Sequence, residues 1–123
     1  MIRLSREDLA VFRAHAEQNL DRDSAARFRF KNADEVAHLN DQELLAAIRA
    51  ARETVVGFGI SDLKLRFRFI MLDVFRLPGF WRDEAVQSLM HAETGTADTR
   101  FGDVCALIKM AAVRNGMSDR VWW

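Results

Sequence analysis

The chain has 123 residues, half of them apolar, and its 18 basic and 18 acidic side chains cancel. This composition suits one globular domain with its own core and excludes a disordered chain. Zero net charge argues against nucleic acid or an anionic membrane as the partner. Cys105 is the only cysteine, so no disulfide can form within the chain, which fits a reducing compartment.

The N-terminus, MIRLSREDLAVF, carries charges among its first eight residues and lacks the apolar segment of a signal peptide. No run approaches the roughly 18 apolar residues that a membrane span requires. We therefore expect a soluble, cytoplasmic protein.

The first helix is predicted to begin at Ser5, with Asp8 three residues later in the position of a capping box. One face of this helix carries four apolar side chains, those of Leu9, Phe12, Ala16 and Leu20. Asp23 and Ser24 are both good N-caps, so the pattern predicts a break around residues 21–24 and a second segment to Phe30.

Residues 31–40 allow one short helical turn, with Asn32 and Glu35 spaced as a capping box. A clearer helix follows, capped by Asn40 or Asp41 and supported by Glu43. Its core stripe consists of Leu44, Ile48, Ala51 and Val55, and it ends at the glycines of Gly57-Phe58-Gly59, one of which suits a left-handed C-terminal position.

The stretch 60–77, ISDLKLRFRFIMLDVFRL, is predicted to be the central helix. Ser61 is its expected N-cap, Ile60 can pack on Leu65, and Pro78-Gly79 ends it. Two apolar groups lie on nearly opposite sides, which is typical of a helix buried between layers or shared with a partner. The first group is Leu63, Phe67, Ile70, Met71, Val74 and Leu77; the second is Leu65, Phe69 and Leu72. We expect Phe67, Ile70, Met71 and Val74 at the centre of the fold.

Asp83 is the expected cap of a short helix carrying Val86, Leu89 and Met90. A last helix runs from about Asp98 or Thr99 to Asn115 and is stopped by Gly116. Its expected core face consists of Phe101, Val104, Cys105, Ile108 and Ala112. No strand pattern occurs. We predict an all-α fold, a compact bundle of about five helices in one domain over residues 1–116, with a tail at 117–123.

Signatures of catalysis and metal binding are missing from the sequence. His15, His38 and His91 are far apart, and there is no second cysteine for a zinc site, so solvated or capping roles are expected. Cys105 falls on the core face of its helix, with no basic partner adjacent on that face, which favours a buried, unreactive thiol. We assign no catalytic, cofactor or metal residue.

Two groups of apolar residues are candidates for binding a partner. The first is the second stripe of the central helix, Leu65, Phe69 and Leu72, which internal packing could equally cover. The second is the tryptophans Trp81, Trp122 and Trp123, since Trp is enriched at binding hot spots. The alternative for the Trp122-Trp123 pair is that it folds back onto the end of the bundle.

Four segments, with the short helix carrying Leu89 between the last two, resemble a family of small helical proteins of Gram-negative bacteria, encoded beside spike, PAAR-repeat and effector genes of type VI secretion systems. These are LNDQELLAAIRAARETVVGFGI (39–60), RFRFIMLDVF (66–75), PGF (78–80) and TRFGDVCAL (99–107). Phe58-Gly59-Ile60 departs from the tyrosine-containing form of the family's turn. The resemblance implies a helper of an effector, and it carries over no functional residue because the matching positions look structural.

The leading interpretation is a non-enzymatic interaction module, an adaptor or chaperone that binds a type VI secretion effector or spike protein, or that self-associates. The first alternative is an immunity protein that occludes a toxin. Such proteins usually carry a strongly charged face, which a neutral chain makes less expected. The second alternative is a small effector or enzyme, for which the sequence offers no constellation of polar groups.

Overall fold

The computed structural model describes residues 3–116, which form six α-helices and no strand. The helices are α1 (Arg6–Lys31), α2 (Ala33–Val36), α3 (Asp41–Gly57), α4 (Leu63–Met71), α5 (Glu84–Met90) and α6 (Ala97–Arg114). A π-helical turn, Leu72–Arg76, extends α4, and a 3₁₀ turn, Phe80–Arg82, precedes α5. The predicted all-α fold is confirmed.

The helix α1 is one continuous element of 26 residues. Its predicted start is confirmed: the Asp8 N–H donates to Ser5 Oγ at 3.1 Å, and the Ser5 N–H donates to Asp8 Oδ2 at 2.8 Å. The predicted break at residues 21–24 is wrong. That segment contains neither Gly nor Pro, so capping residues alone do not interrupt the backbone hydrogen bonds. Burial of Asp21 and Phe28 holds the second half of the helix in place.

The chain divides into two units, Met1–Arg49 and Ala50–Trp123. In the first unit, Arg29 connects the end of α1 to the segment that follows it. Its guanidinium donates to the carbonyl oxygens of Val36 at 2.8 Å and Leu39 at 2.6 Å, and it lies 3.1 Å from Asp41 Oδ1. These bonds satisfy carbonyls that the short α2 leaves free. The single domain expected over residues 1–116 stays a prediction.

The structure of α2 and α3 agrees closely with the sequence prediction. The short turn after residue 31 is confirmed as α2, although Asn32 donates to the Glu35 side chain at 3.1 Å instead of capping the backbone. Asn40 and Glu43 form the expected reciprocal cap of α3, at 2.8 and 3.0 Å. All four residues of the predicted core stripe are buried: Leu44, Ile48, Ala51 and Val55. Gly59 takes the left-handed conformation, with φ of 81°.

The central helix differs from the sequence prediction at both ends. Its N-cap is Asp62, whose carboxylate accepts from the Leu65 N–H at 3.0 Å, and not Ser61. At its C-terminal end the helix widens, and the Leu77 N–H donates to the Leu72 carbonyl at 2.7 Å before Pro78. The wider turn changes which side chains face the core, because residues after it are rotated relative to a regular α-helix.

Phe69 occupies the centre of the core in the second unit. Its ring lies 4.9 Å from that of Phe80, 5.5 Å from that of Phe101 and 5.9 Å from that of Phe58, measured between centroids. Phe67, expected at the centre, is only half-buried, so this expectation is wrong. The other three residues expected there, Ile70, Met71 and Val74, are buried. The core cluster is completed by Val55, Ile60, Leu72, Val86, Met90, Val104 and Cys105.

Asp98, in the first turn of α6, holds the loop that precedes α4. Its carboxylate accepts from the Ser61 N–H at 2.7 Å, from Ser61 Oγ at 3.0 Å and from the Asp62 N–H at 3.2 Å. The hydrogen bond from the Ser61 backbone is the main reason that the pKa of Asp98 is lowered from its ordinary value of 3.8. The loop that contributes to the cap of α4 is therefore attached to α6 through an ionised carboxylate.

Replacing Phe69 by Ala should destabilise the fold by about 3–5 kcal/mol, because a fully buried ring is lost and a cavity is left. Phe67→Ala, at a half-buried position, should cost about 1–2 kcal/mol. Denaturant titration followed by circular dichroism measures both values. Equal losses for the two variants would contradict the placement of Phe69 at the centre.

The stabilising effect of Asp98 should depend on pH. Because its pKa is lower in the folded chain, the effect is present above the ordinary carboxyl pKa and is lost as the pH falls through the lowered value. We expect Asp98→Asn to have a lower Tm than wild type near neutral pH, with the difference shrinking below about pH 4.

The matched control is Asp103→Asn, an exposed position on the same helix. It should follow the wild-type dependence of Tm on pH. A Tm difference between wild type and Asp98→Asn that stays constant down to about pH 2 would argue against an ionised Asp98 as the acceptor.

Candidate protein-binding surface

The second stripe of the central helix is not a free surface. Phe69 and Leu72 are fully buried, and Leu65 is partly buried against the same core. Internal packing, the alternative that the sequence left open for this stripe, covers it, because the core cluster around Phe69 and Leu72 includes side chains of α5 and α6. A partner could reach Phe69 or Leu72 only if the core opened. The binding role assigned to the three residues stays a prediction.

Trp81 is half-buried and is held in the turn before α5. Its indole N–H donates to Asp73 Oδ1 at 3.1 Å, and the Gly79 N–H donates to the same oxygen at 2.9 Å. The guanidinium of Arg82 lies over the ring, 4.6 Å from its centroid. These contacts give Trp81 a structural role in the turn, and its predicted binding role is not tested by them.

The other two predicted anchors, Trp122 and Trp123, lie outside the described residues 3–116. The tail predicted at 117–123 lies outside them too.

A different apolar surface runs along the first four turns of α1. Every residue from 6 to 20 is exposed except Ala16, which is half-buried. Leu9, Phe12 and Leu20 keep 48%, 69% and 58% of their surface accessible. At about 100° per residue, these three and Ala16 lie within about 80° of one another. We call these four residues the α1 stripe.

Charged residues lie on both edges of the α1 stripe and at its C-terminal end. Arg6 and Arg13 lie along one edge of the helix, and Asp8 lies along the other. Beyond Leu20, Asp23 and Arg27 occupy the line of the stripe in the following turns. The stripe is therefore a bounded apolar surface about 17 Å long, with charged residues of both signs along its edges.

The sequence contains the signal for this surface, since the shared face of Leu9, Phe12, Ala16 and Leu20 is evident from their spacing. Periodicity indicates that the four side chains lie together, but it does not say what covers them. The buried residues of α1 are Asp21 and Phe28, which lie in its second half and on another side of the helix.

A smaller apolar surface lies on the outer face of α6. Met110 and Val113 are exposed there, and Ala106 lies one turn before them. These side chains are opposite the buried face formed by Phe101, Val104 and Cys105. With one long and two shorter side chains, this surface is less extensive than the α1 stripe.

The three histidines singled out from the sequence lie at the surface of the described residues. His15, His38 and His91 are exposed, and His91 Nε2 lies 2.9 Å from Gln87 Oε1. Among residues 3–116, no group of three or more His, Cys, Asp or Glu side chains could hold a metal ion. No described helix is long and apolar enough to cross a bilayer.

Cys105 is buried, as predicted, and burial raises the pKa of its thiol above the ordinary value of 9.0. A hydrogen bond and the charge of Arg68 act in the opposite direction but are smaller. The expectation of no basic partner is wrong, because Arg68 comes from α4, which is distant in sequence. The net effect keeps the sulfur in its less nucleophilic, protonated form.

Comparison with known proteins identifies no relative: no protein-family model, no curated protein and no solved structure matches the chain. What characterises the described residues 3–116 is an all-α fold with an exposed apolar stripe on its first helix.

Cys105 should react slowly with an aromatic disulfide reagent at pH 8 in the folded chain and rapidly in denaturant, because its thiol is buried and protonated. The release of thiolate followed by absorbance measures the rate. Phe69→Ala, which loosens the same core, should accelerate the reaction, whereas Phe12→Ser should leave it unchanged. Fast modification of folded wild type would indicate an accessible, reactive thiol.

Proposed function

We propose that this chain is a non-enzymatic protein-interaction module and that the α1 stripe is its binding surface. Support comes from one observation: an aromatic and two leucine side chains are aligned and exposed on a helix that carries its own N-terminal cap. Exposed apolar residues that are scattered singly are ordinary, whereas aligned ones bordered by charges are typical of interfaces.

The length of the helix adds a second argument. Isolated helices of about 15 residues are marginal in water, and most helices in proteins depend on packing of an apolar face. Residues 6–20 of α1 are exposed apart from the half-buried Ala16. A partner that packs on the α1 stripe would bury this apolar face and would stabilise the helix as it binds.

The stripe also indicates what its partner would present. Helices with exposed residues at spacings of three and four commonly lie in an apolar groove or against another amphipathic helix. Arg6, Arg13 and Glu17 on one edge and Asp8 on the other favour a partner surface with charged residues of both signs around its apolar centre.

A more specific proposal concerns the identity of the partner, and it rests on the sequence resemblance alone. We propose that it is an effector or spike component of a type VI secretion system, with this chain acting as an adaptor or chaperone in the cytoplasm. The neighbouring genes test this proposal. If the captured partner is a toxin that loses activity on binding, the role is immunity and not delivery.

Phe12→Ser should weaken binding of the partner by about 2–4 kcal/mol, the usual loss at an interface hot spot, without unfolding the chain. The partner is first captured from the native host with the full-length chain, then purified and titrated by calorimetry. The control is Val11→Ser, because Val11 is as exposed as Phe12 but points about 100° away from it.

Val11→Ser should bind within about twofold of wild type, and both variants should keep the wild-type Tm, as surface substitutions usually do. Equal losses of affinity for the two variants, or none for Phe12→Ser, would contradict the α1 stripe as the binding surface.

A further inference from the structure

We infer that residues 77–82 form a strap over the aromatic core of the second unit and that Asp73 is the clasp that holds this strap closed. The strap opens locally, while the helices on either side of it stay folded. This inference does not depend on the α1 stripe. It concerns access to Phe69 and Leu72, which the closed core buries completely.

The strap carries side chains that close one side of the core. Phe80 is buried, and its ring centroid lies 4.9 Å from that of Phe69 and 6.3 Å from that of Phe101. Trp81 packs against the same core cluster, with its ring 6.3 Å from that of Phe58. Displacing the strap would therefore uncover Phe69 without requiring α4 or α6 to unwind.

The hydrogen bonds that shape the strap are short-range. The Phe80 N–H donates to the Leu77 carbonyl at 3.0 Å, and the Arg82 N–H donates to the Gly79 carbonyl at 3.0 Å. These two bonds lie within the strap and can persist when it moves. Pro78 has no N–H to donate, so it adds no attachment. Segments with few bonds to the rest of a fold open at a lower free energy than the whole fold.

Asp73 joins the strap to the π-helical turn at the end of the central helix. Its Oδ1 accepts from the Gly79 N–H at 2.9 Å and from the Trp81 indole N–H at 3.1 Å. Hydrogen bonds to a carboxylate are about twice as strong as neutral ones. From α5, the Gln87 side chain adds one neutral bond to the Trp81 carbonyl. The stronger attachment of the strap is therefore the one to Asp73.

The π-helical turn Leu72–Arg76 belongs to the same arrangement. The Leu77 N–H donates to the Leu72 carbonyl at 2.7 Å, five residues back, whereas in an α-helix it would donate to the carbonyl of Asp73. Such wide turns are rare and are frequent at functional sites. Because this turn contains Asp73 and leads directly into the strap, the last bond of the turn and the strap open together.

Amide hydrogen exchange of the full chain, measured by NMR at low denaturant concentrations, tests local opening. Exchange that needs global unfolding accelerates strongly with denaturant, because most of the buried surface becomes exposed, whereas exchange through a small opening barely responds. The Leu77 and Phe80 amides should therefore respond weakly, and the Val104 amide of α6 strongly. Equal responses would mean that the strap opens only with the whole unit, which would overturn the inference.

Asp73→Ala tests the clasp. It removes two bonds to a charged acceptor, so the Phe80 amide should exchange at least about tenfold faster. Asp73→Asn keeps the acceptor oxygen without the charge and should lie between Asp73→Ala and wild type. Unchanged exchange in Asp73→Ala would rule out Asp73 as the clasp. If Asp73→Ala does not fold, Trp81→Phe removes one of the two bonds, and no acceleration in that variant would have the same meaning.

The matched control is Asp98→Asn, which weakens the contact between α6 and the loop before α4. That contact is kept when the strap opens, so the substitution destabilises the closed and the open form together. The Phe80 amide should keep its wild-type rate, whereas the Val104 amide, which exchanges through global unfolding, should exchange faster. Acceleration of both amides by the same factor would show that the strap does not open on its own and would overturn the inference.

Discussion

The burial of the Phe69 ring is the interaction on which the second unit depends. Phe58, Phe80 and Phe101 reach it from the end of α3, the turn before α5 and the helix α6. Tilted and edge-on aromatic pairs add to the free energy of apolar burial, so one ring fixes four segments. The position of α6 in turn allows Asp98 to bind the loop before α4.

The first turns of α1 are stabilised by local hydrogen bonds and not by an aromatic core. There the helix is set by local chemistry, since Ser5 and Asp8 satisfy its first amide groups and no Gly or Pro interrupts it. The apolar side chains of Leu9, Phe12 and Leu20 are exposed. The residues of the proposed binding surface are thus different from those of the core around Phe69. Phe12 can therefore be changed with little effect on the stability that Phe69 provides.

The sequence by itself determined where most helices begin and end. Caps at Ser5, Asn40 and Asp83 are formed as expected, and Gly59 takes the positive φ that ends α3. These features depend on a few neighbouring residues, so local spacing is sufficient to predict them. The same spacing placed Leu9, Phe12, Ala16 and Leu20 on one face. Prediction from local spacing failed at residues 21–24, where good capping residues occur inside an uninterrupted helix.

Only the tertiary structure decided which apolar stripes are covered. Periodicity gave α1 and the central helix similar apolar faces, yet Phe69 is fully buried and Phe12 is exposed. Burial depends on contacts between residues that are distant in sequence, such as Phe101 packing on Phe69. The hydrogen bond between Asp98 and Ser61 likewise joins residues 37 positions apart. A local pattern contains no information about such contacts. The α1 stripe could therefore be proposed as a binding surface only from the structure, which buries Phe69 and Leu72 in the core and leaves Leu9, Phe12 and Leu20 exposed.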